Sequence, residues 1–438
     1  MQYLVIIIFS IFILLVNLFI KNKIKRVYVY IFLLIWFVVL IMSSFNLYGL
    51  YEVSVKIYYL IFFSIFCFLL GVFLSNKGLE KKKLLDDKIK KSKKEVIFNI
   101  TSFINKLNKN IFIKLIMLLN LIFIFRYYSI YQKALVVLGS SEARRLRFFS
   151  GELFSSTLEI YFYNYYFETI AILSVLYISF VFVFSRFTLL AFINLLYVYF
   201  FANIGAGRFL LIEISFYVIV ISIIKRMYFG VKSTFIKKGA FSFIFLCLYL
   251  IAIYFQNIRR GIYEYNINTI LEGNERLLEH AVIYNIGPLR ALEQGVNSFN
   301  ATQNYKFFRL YFGGLDEFIT VFLNYIGFKV TSANLEVGEV LFNEISIGVN
   351  QNFNALYTNI FYMYADFNLL GVFVCSIFNG IVFSYFFKRF YVYPTMINII
   401  IFAFFTVTLY LSNMNWSFTT PSSWIFIFMC FYFSIKNK

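Results

Sequence analysis

The stretch Asn203-Ile-Gly-Ala-Gly-Arg-Phe-Leu-Leu211 sets two glycines and an arginine between long apolar runs. Gly205 and Gly207 permit positive φ and close approach to the backbone, and Arg208 opens the run that follows. A helix starting there turns its free N–H groups and positive end toward the turn. The segment therefore suits an anion, a phosphate above all. Arg259-Arg260 follows another apolar run, at the level where a lipid headgroup would lie. Other groups able to do chemistry are few. His280 is the only histidine, the one side-chain type that ordinarily changes charge near neutral pH, and so a candidate general base. Glu168 and Glu213 fall inside apolar runs, where carboxylates are costly and mark function by default. Asp366, in YADFNLLG, stands at the edge of a further run. The acids are scattered, without the close spacing of a metal site, and the expectation is metal independence. No phosphate-loop, zinc-protease or serine-elbow signature occurs.

The elements that must position these groups are membrane spans. Hydrophobic residues make up 61% of the 438, against roughly 45–50% in a soluble protein. Charged residues supply only 14% and are bunched between apolar runs of about 16–22 residues, close to the ~20 a helix needs to cross a bilayer. The composition predicts an all-α polytopic membrane protein with about eleven spans: 3–20, 27–44, 55–75, 111–129, 161–184, 187–202, 209–224, 240–257, 368–387, 395–413 and 421–435. The first run lacks a basic start and reads as a span, not a cleaved signal. The four cysteines, Cys67, Cys247, Cys375 and Cys430, all lie in apolar runs, so neither a disulfide framework nor a metal cluster is suggested. The net charge of +19 fits lysines facing the cytoplasm and calls for no nucleic acid.

The distribution of positive charge orients the chain. With the N-terminus outside and the C-terminus cytoplasmic, the inside segments hold 25 of the 40 lysines and arginines, including the basic loop 76–110. Residues 1–438 form a single transmembrane domain, with a large outside loop, 258–350, inserted between the eighth and ninth spans. In that loop NERLLEHAVIYN shows one apolar helical face, and Gly287-Pro288 is expected to start a second helix that ends at Gly295. DEFITVFLNYIGF is apolar enough to lie on or dip into the membrane, and FNALYTNIFYMYADFNLLG suits re-entry before the ninth span.

The kind of positive charge differs between the two sides. The inside segments carry 21 Lys and 4 Arg; the outside ones carry 3 Lys and 9 Arg, among them Arg144, Arg145, Arg208, Arg259, Arg260, Arg290 and Arg309. A lysine-rich chain that places arginine outside needs guanidinium there, a planar fork that grips phosphate or carboxylate with two bonds. Some of these arginines make structural ion pairs, because loop 258–350 also holds ten acids.

Two local patterns carry a resemblance: GAGR at 205–208, and NALYTNIFYMYADFNLLGVFVCSIFNG at 354–380. With the span layout and the late outside loop, the chain resembles the Wzy-type polymerases of oligosaccharide repeat units, the O-antigen polymerases. The second pattern is similar to the family's aromatic stretch ending in Asp-Phe-Gly, except that Asn368 follows Asp366-Phe367. The resemblance implies a GT-C-like glycosyltransferase of the bacterial inner membrane with its active site facing the periplasm. It would move a growing glycan from undecaprenyl pyrophosphate to a new lipid-linked repeat unit, with a chain-length regulator as a further partner and no cofactor. On that reading Arg208, Arg259, Arg260, Arg290, Arg144 and Arg145 bind pyrophosphate, Arg208 also assisting catalysis. His280 or Asp366 is then the base, and Tyr357 and Tyr364 stack on sugars. An O-antigen ligase, a lipid-linked oligosaccharide flippase and a non-enzymatic scaffold are the alternatives.

Overall fold

The computed structural model describes residues 1–45, 47–75, 86–146, 153–204, 209–231, 253, 266–302, 304–338, 345–349, 351–353 and 357–436. The described chain is almost wholly helical. It begins with α1 (Gln2–Phe19), α2 (Lys23–Ser43), α3 (Val55–Leu74), α4 (Asp86–Lys109) and α5 (Ile111–Arg145). Then come α6 (Thr157–Tyr161) and α7 (Glu168–Phe184), joined by a π-helical turn, followed by α8 (Leu189–Asn203) and α9 (Phe209–Ile223). After these lie α10 (Ile267–Thr302), α11 (Gly313–Tyr325), α12 (Ala333–Glu336) and the two-stranded hairpin β1 (Ile345–Gly348) and β2 (Gln351–Phe353). The chain ends with α13 (Asn359–Val392), α14 (Met396–Tyr410) and α15 (Pro421–Lys436).

Among the described residues, six helices are long and apolar enough to cross a membrane: α1, α2, α3, most of α5, the α6–α7 stretch and α13. Among the shorter apolar helices are α8, α14 and most of α15. Such sequences become helices because a bilayer offers the backbone no hydrogen bonds, and a helix satisfies them within one segment. Side-chain caps fix several starts; Asn22 accepts from the N–H groups of Ile24 and Lys25, and Thr188 from that of Ala191. The span expected at 240–257 lies almost wholly outside the described residues.

The chain divides into two compact units. One comprises 1–83, 243–392 and 408–420; the other comprises 84–242, 393–407 and 421–438. In the first, α1 and α3 run parallel, with Phe9 against Phe62 and Phe19 against Phe73. The long arm of α13 runs parallel to α3 as well. Phe63 stacks on Phe373, Ser64 bonds Ser376 at 2.8 Å, and Gly71 and Gly380 bring the two backbones together. A Cβ on Gly71 would lie 2.2 Å from the Ile377 carbonyl oxygen, and one on Gly380 2.2 Å from that of Phe68. Small residues at such a crossing permit the close approach on which helix association in lipid depends. The three parallel helices put the basic residues that follow α1 and those near the end of α13, Lys388 and Arg389, at one end of this unit. The chain leaves α3 toward the lysine-rich loop at that same end. Residues 47–54 lie at the opposite end, where Arg290 of α10 donates to the Glu52 carbonyl and the Tyr51 N–H reaches the Ile347 carbonyl of β1.

The other unit is held by α7 against α8 and α9, and by α5 against α8. Its core is aromatic: Tyr127 meets Phe154, Tyr163 and Phe167, while Tyr163 stacks on Phe201. Asn108 accepts hydrogen bonds from Tyr177 and Thr188, tying the loop before α8 to the end of α4.

Two expectations are corrected. The helix expected to end at 129 continues to a break at Gly139, where φ is 81°. Residues 267–302 form one helix, not two, with Pro288 inside it. Gly287 and Gly295 are sites of close packing within that helix: a Cβ would come within 2.8 Å of the Phe353 ring and 2.3 Å of the Phe361 ring. Farther along, α13 is broken at Phe367 and Asn368, next to the expected start of a span at 368; Asn368 has φ 57°, and the first arm folds back along the second. A Cβ on Gly371 would lie 2.0 Å from the Met363 carbonyl oxygen, and Ser376 bonds the Met363 sulfur at 3.5 Å.

Candidate functional site

Asp366 lies at the apex of this helical hairpin and is fully buried. Its Oδ1 accepts the Leu310 N–H at 3.0 Å and its Oδ2 the Tyr311 N–H at 2.7 Å. The carbonyls of Ala365 and Asp366 accept the N–H groups of Lys306 and Phe307 at 3.1 and 3.2 Å. Four bonds therefore clamp the turn 306–311, in which Phe307 and Phe308 hold φ of 56° and 66°. That left-handed conformation is unfavourable for aromatic residues. Packing of both rings on Phe367, at centroid distances of 5.3 and 4.5 Å, helps offset it. Trp416 donates to the Tyr311 carbonyl at 3.0 Å, and the Tyr311 hydroxyl to Asn379 at 2.5 Å.

The clamped turn presents two cations. Lys306, buried, bonds Glu336 at 2.9 Å. Arg309 reaches Asp316 at 2.8 Å, the other Glu336 oxygen at 2.9 Å and the Thr331 carbonyl at 2.6 Å. Asp316 also accepts the Ala333 N–H at 2.6 Å, which fixes the start of α12. Burial alone would raise the Glu336 carboxyl, but hydrogen bonds from Lys306 and Arg309, with their charges, hold it below its usual value. The Asp316 hydrogen bond in turn raises Arg309. A planar guanidinium shared by two carboxylates is preorganised, and it stays charged when partly desolvated.

The sequence singled out neither this cluster nor its geometry. Lys306 and Arg309 counted only among the outside cations, and their partner Glu336 lies some thirty positions away. The one available signal was the bunching of arginine, lysine and acids in 306–336.

Of the residues singled out from sequence, Arg208, Arg259 and Arg260 lie outside the described residues, as do the side chains of Arg144 and Arg145. Arg290 lies at the same end of its unit as the 306–336 cluster, but its guanidinium is already engaged. It pairs with Glu293, donates to the Glu52 carbonyl at 3.0 Å and sits 5.8 Å over the Tyr51 ring. His280 lies ten residues earlier on α10, about 15 Å along the axis, half-buried and stacked on Tyr284 at 6.1 Å. Tyr357 and Tyr364 point inward. Tyr357 packs on Phe361 at 4.3 Å and the Tyr364 hydroxyl bonds Asn300 at 2.6 Å, leaving neither ring a free face for a sugar. Asp366 spends both oxygens on backbone N–H groups, which makes it an organiser of the turn. In the other unit, Glu168 starts α7 and Glu213 lies in α9, and these two helices pack together.

No family model, no curated protein and no solved structure matches this chain.

Proposed function

We propose that this chain is a polymerase of lipid-linked oligosaccharide repeat units, a glycosyltransferase working at the outer face of a bacterial inner membrane. One observation carries the reading most. The polar cap built from 266–302 and 304–338, which holds Arg290, Arg309 and His280, sits at the end of its unit opposite the lysine-rich ends. By the positive-inside rule that end is external, where a lipid-linked glycan waits. Eleven crossings and a GT-C-like arrangement are part of the same proposal.

The reaction breaks the bond between the anomeric carbon of the donor glycan and its pyrophosphate oxygen. A new bond forms from that carbon to a hydroxyl of the acceptor repeat unit, the hydroxyl proton passes to a base, and undecaprenyl pyrophosphate leaves. Guanidinium groups stabilise the charge that develops on the leaving oxygen, an effect of about 3–4 kcal/mol per donor in studied enzymes. Arg208, Arg259 and Arg260 are the candidates for that task, since Arg290 is engaged elsewhere. His280 is the better candidate for the base, since Asp366 is committed to the turn.

The test is a gel of surface glycans from cells lacking the gene, complemented with wild-type or Arg208→Ala copies. A lipid A-core bearing a single repeat unit, restored to a ladder by wild type and not by a normally abundant Arg208→Ala, supports the polymerase. Bare core points instead to a ligase or flippase and removes the reading.

A further inference from the structure

The helix α11 combines a length too short to span with an exposed apolar face. It is thirteen residues long, about 20 Å, against the ~30 Å of a hydrocarbon core, and it carries Asp316 and Glu317 in its first turns. It does not span. Its inner face, Gly313, Gly314, Asp316 and Thr320, is buried. Its outer face and the turn beyond expose Ile319, Phe322, Tyr325, Ile326 and Phe328, with Phe322 63% and Tyr325 89% accessible.

This tip is built, not frayed. Asn324 donates to the Val330 carbonyl and accepts the Val330 N–H, both at 2.9 Å, and the turn they close passes through Gly327 at φ 97°. A positive φ there suits glycine. The patch also continues toward the exposed apolar face of α13. Phe308 packs on Phe312 at 6.4 Å, and Phe312 packs on Phe378 at 6.3 Å. Phe378 belongs to the exposed apolar face of the long arm of α13, together with Leu370 and Phe373. α13 is long and apolar enough to span, and the outward apolar face of a spanning helix meets lipid.

We infer that α11 and the turn to Phe328 form an interfacial anchor, seated in the headgroup–acyl boundary of the bilayer. An amphipathic element of this kind buries its apolar face about 5–10 Å into that boundary. Tyrosine favours the same depth, and the exposed Lys329 reaches past it to phosphate. Seating the tip fixes the height of the Arg309–Glu336 cluster at the other side of α11 just above the headgroups. The inference does not depend on the reaction proposed above.

The full-length protein, carrying Phe322→Trp or Tyr325→Trp, is reconstituted into phosphatidylcholine vesicles whose acyl chains are brominated either near the headgroup or near the methyl end. Both substitutions are aromatic for aromatic at exposed positions, so the fold is not at risk. Emission is compared with wild type and with Glu272→Trp, an exposed site at the start of α10. The added emission of both tip variants should be largely quenched by shallow bromines and little by deep ones, with Glu272→Trp quenched by neither. Added emission that neither bromine position quenches overturns the anchor, as does equal quenching by both. A tip unquenched by lipid whose emission shifts on dilution of protein in the vesicles assigns the patch to a second copy and likewise overturns it.

Discussion

The carboxylate of Asp366 accepts the backbone N–H of Tyr311 at 2.7 Å across 55 positions of sequence, deep in the protein. The neighbouring Leu310 N–H takes the other oxygen at 3.0 Å. Asp366→Ala leaves two buried donors without partners, at about 1–3 kcal/mol each. Thermal unfolding in detergent should show a clear loss of stability for Asp366→Ala. An unchanged melting curve with lost activity would restore Asp366 as a catalytic base.

Glu336 makes stability depend on pH in a defined direction. Its carboxyl lies below the usual 4.5 in the folded protein, so its contribution is complete above the unfolded value and is lost as pH falls through the folded one. Acidifying below 4.5 should therefore lower the melting temperature of wild type more than that of Glu336→Gln. Parallel curves for the two proteins would mean that the pair with Lys306 and Arg309 contributes nothing.

Gly380 and Gly295 should respond differently to alanine. At Gly380 the added carbon meets the Phe68 carbonyl at 2.2 Å, which is backbone, and α3 must move away from α13. At Gly295 it meets the edge of the Phe361 ring, which has room to rotate only within its packing against Tyr357. Overpacking of this kind costs about 1–3 kcal/mol, with Gly380→Ala expected at the upper end. Melting temperatures of the two variants decide the order.

Arg290→Gln should lower stability by about 1 kcal/mol, through loss of the Glu293 pair and the Glu52 carbonyl contact, and leave the glycan ladder intact. A missing ladder at normal protein abundance would return Arg290 to the pyrophosphate site.

Length and hydropathy determined the class of this protein: mean hydropathy of +0.78 and runs long enough to cross a bilayer admit little else. The apolar character of 316–328 was legible too, because that pattern is local. The aromatic stretch before the ninth span was legible for the same reason, and it folds back on α13. Tertiary structure alone decided the rest. Gly287-Pro288 has the local form of a helix start, yet Phe353 and Phe361 pack so closely on Gly287 and Gly295 that the helix runs through both. Asp366 reads in sequence as an ionisable group at a membrane edge; only the folded turn supplies the two N–H groups that occupy it. Helical periodicity tells which face of a segment is apolar, whereas partners such as Lys306 and Glu336, or Ser64 and Ser376, meet only when distant segments pack.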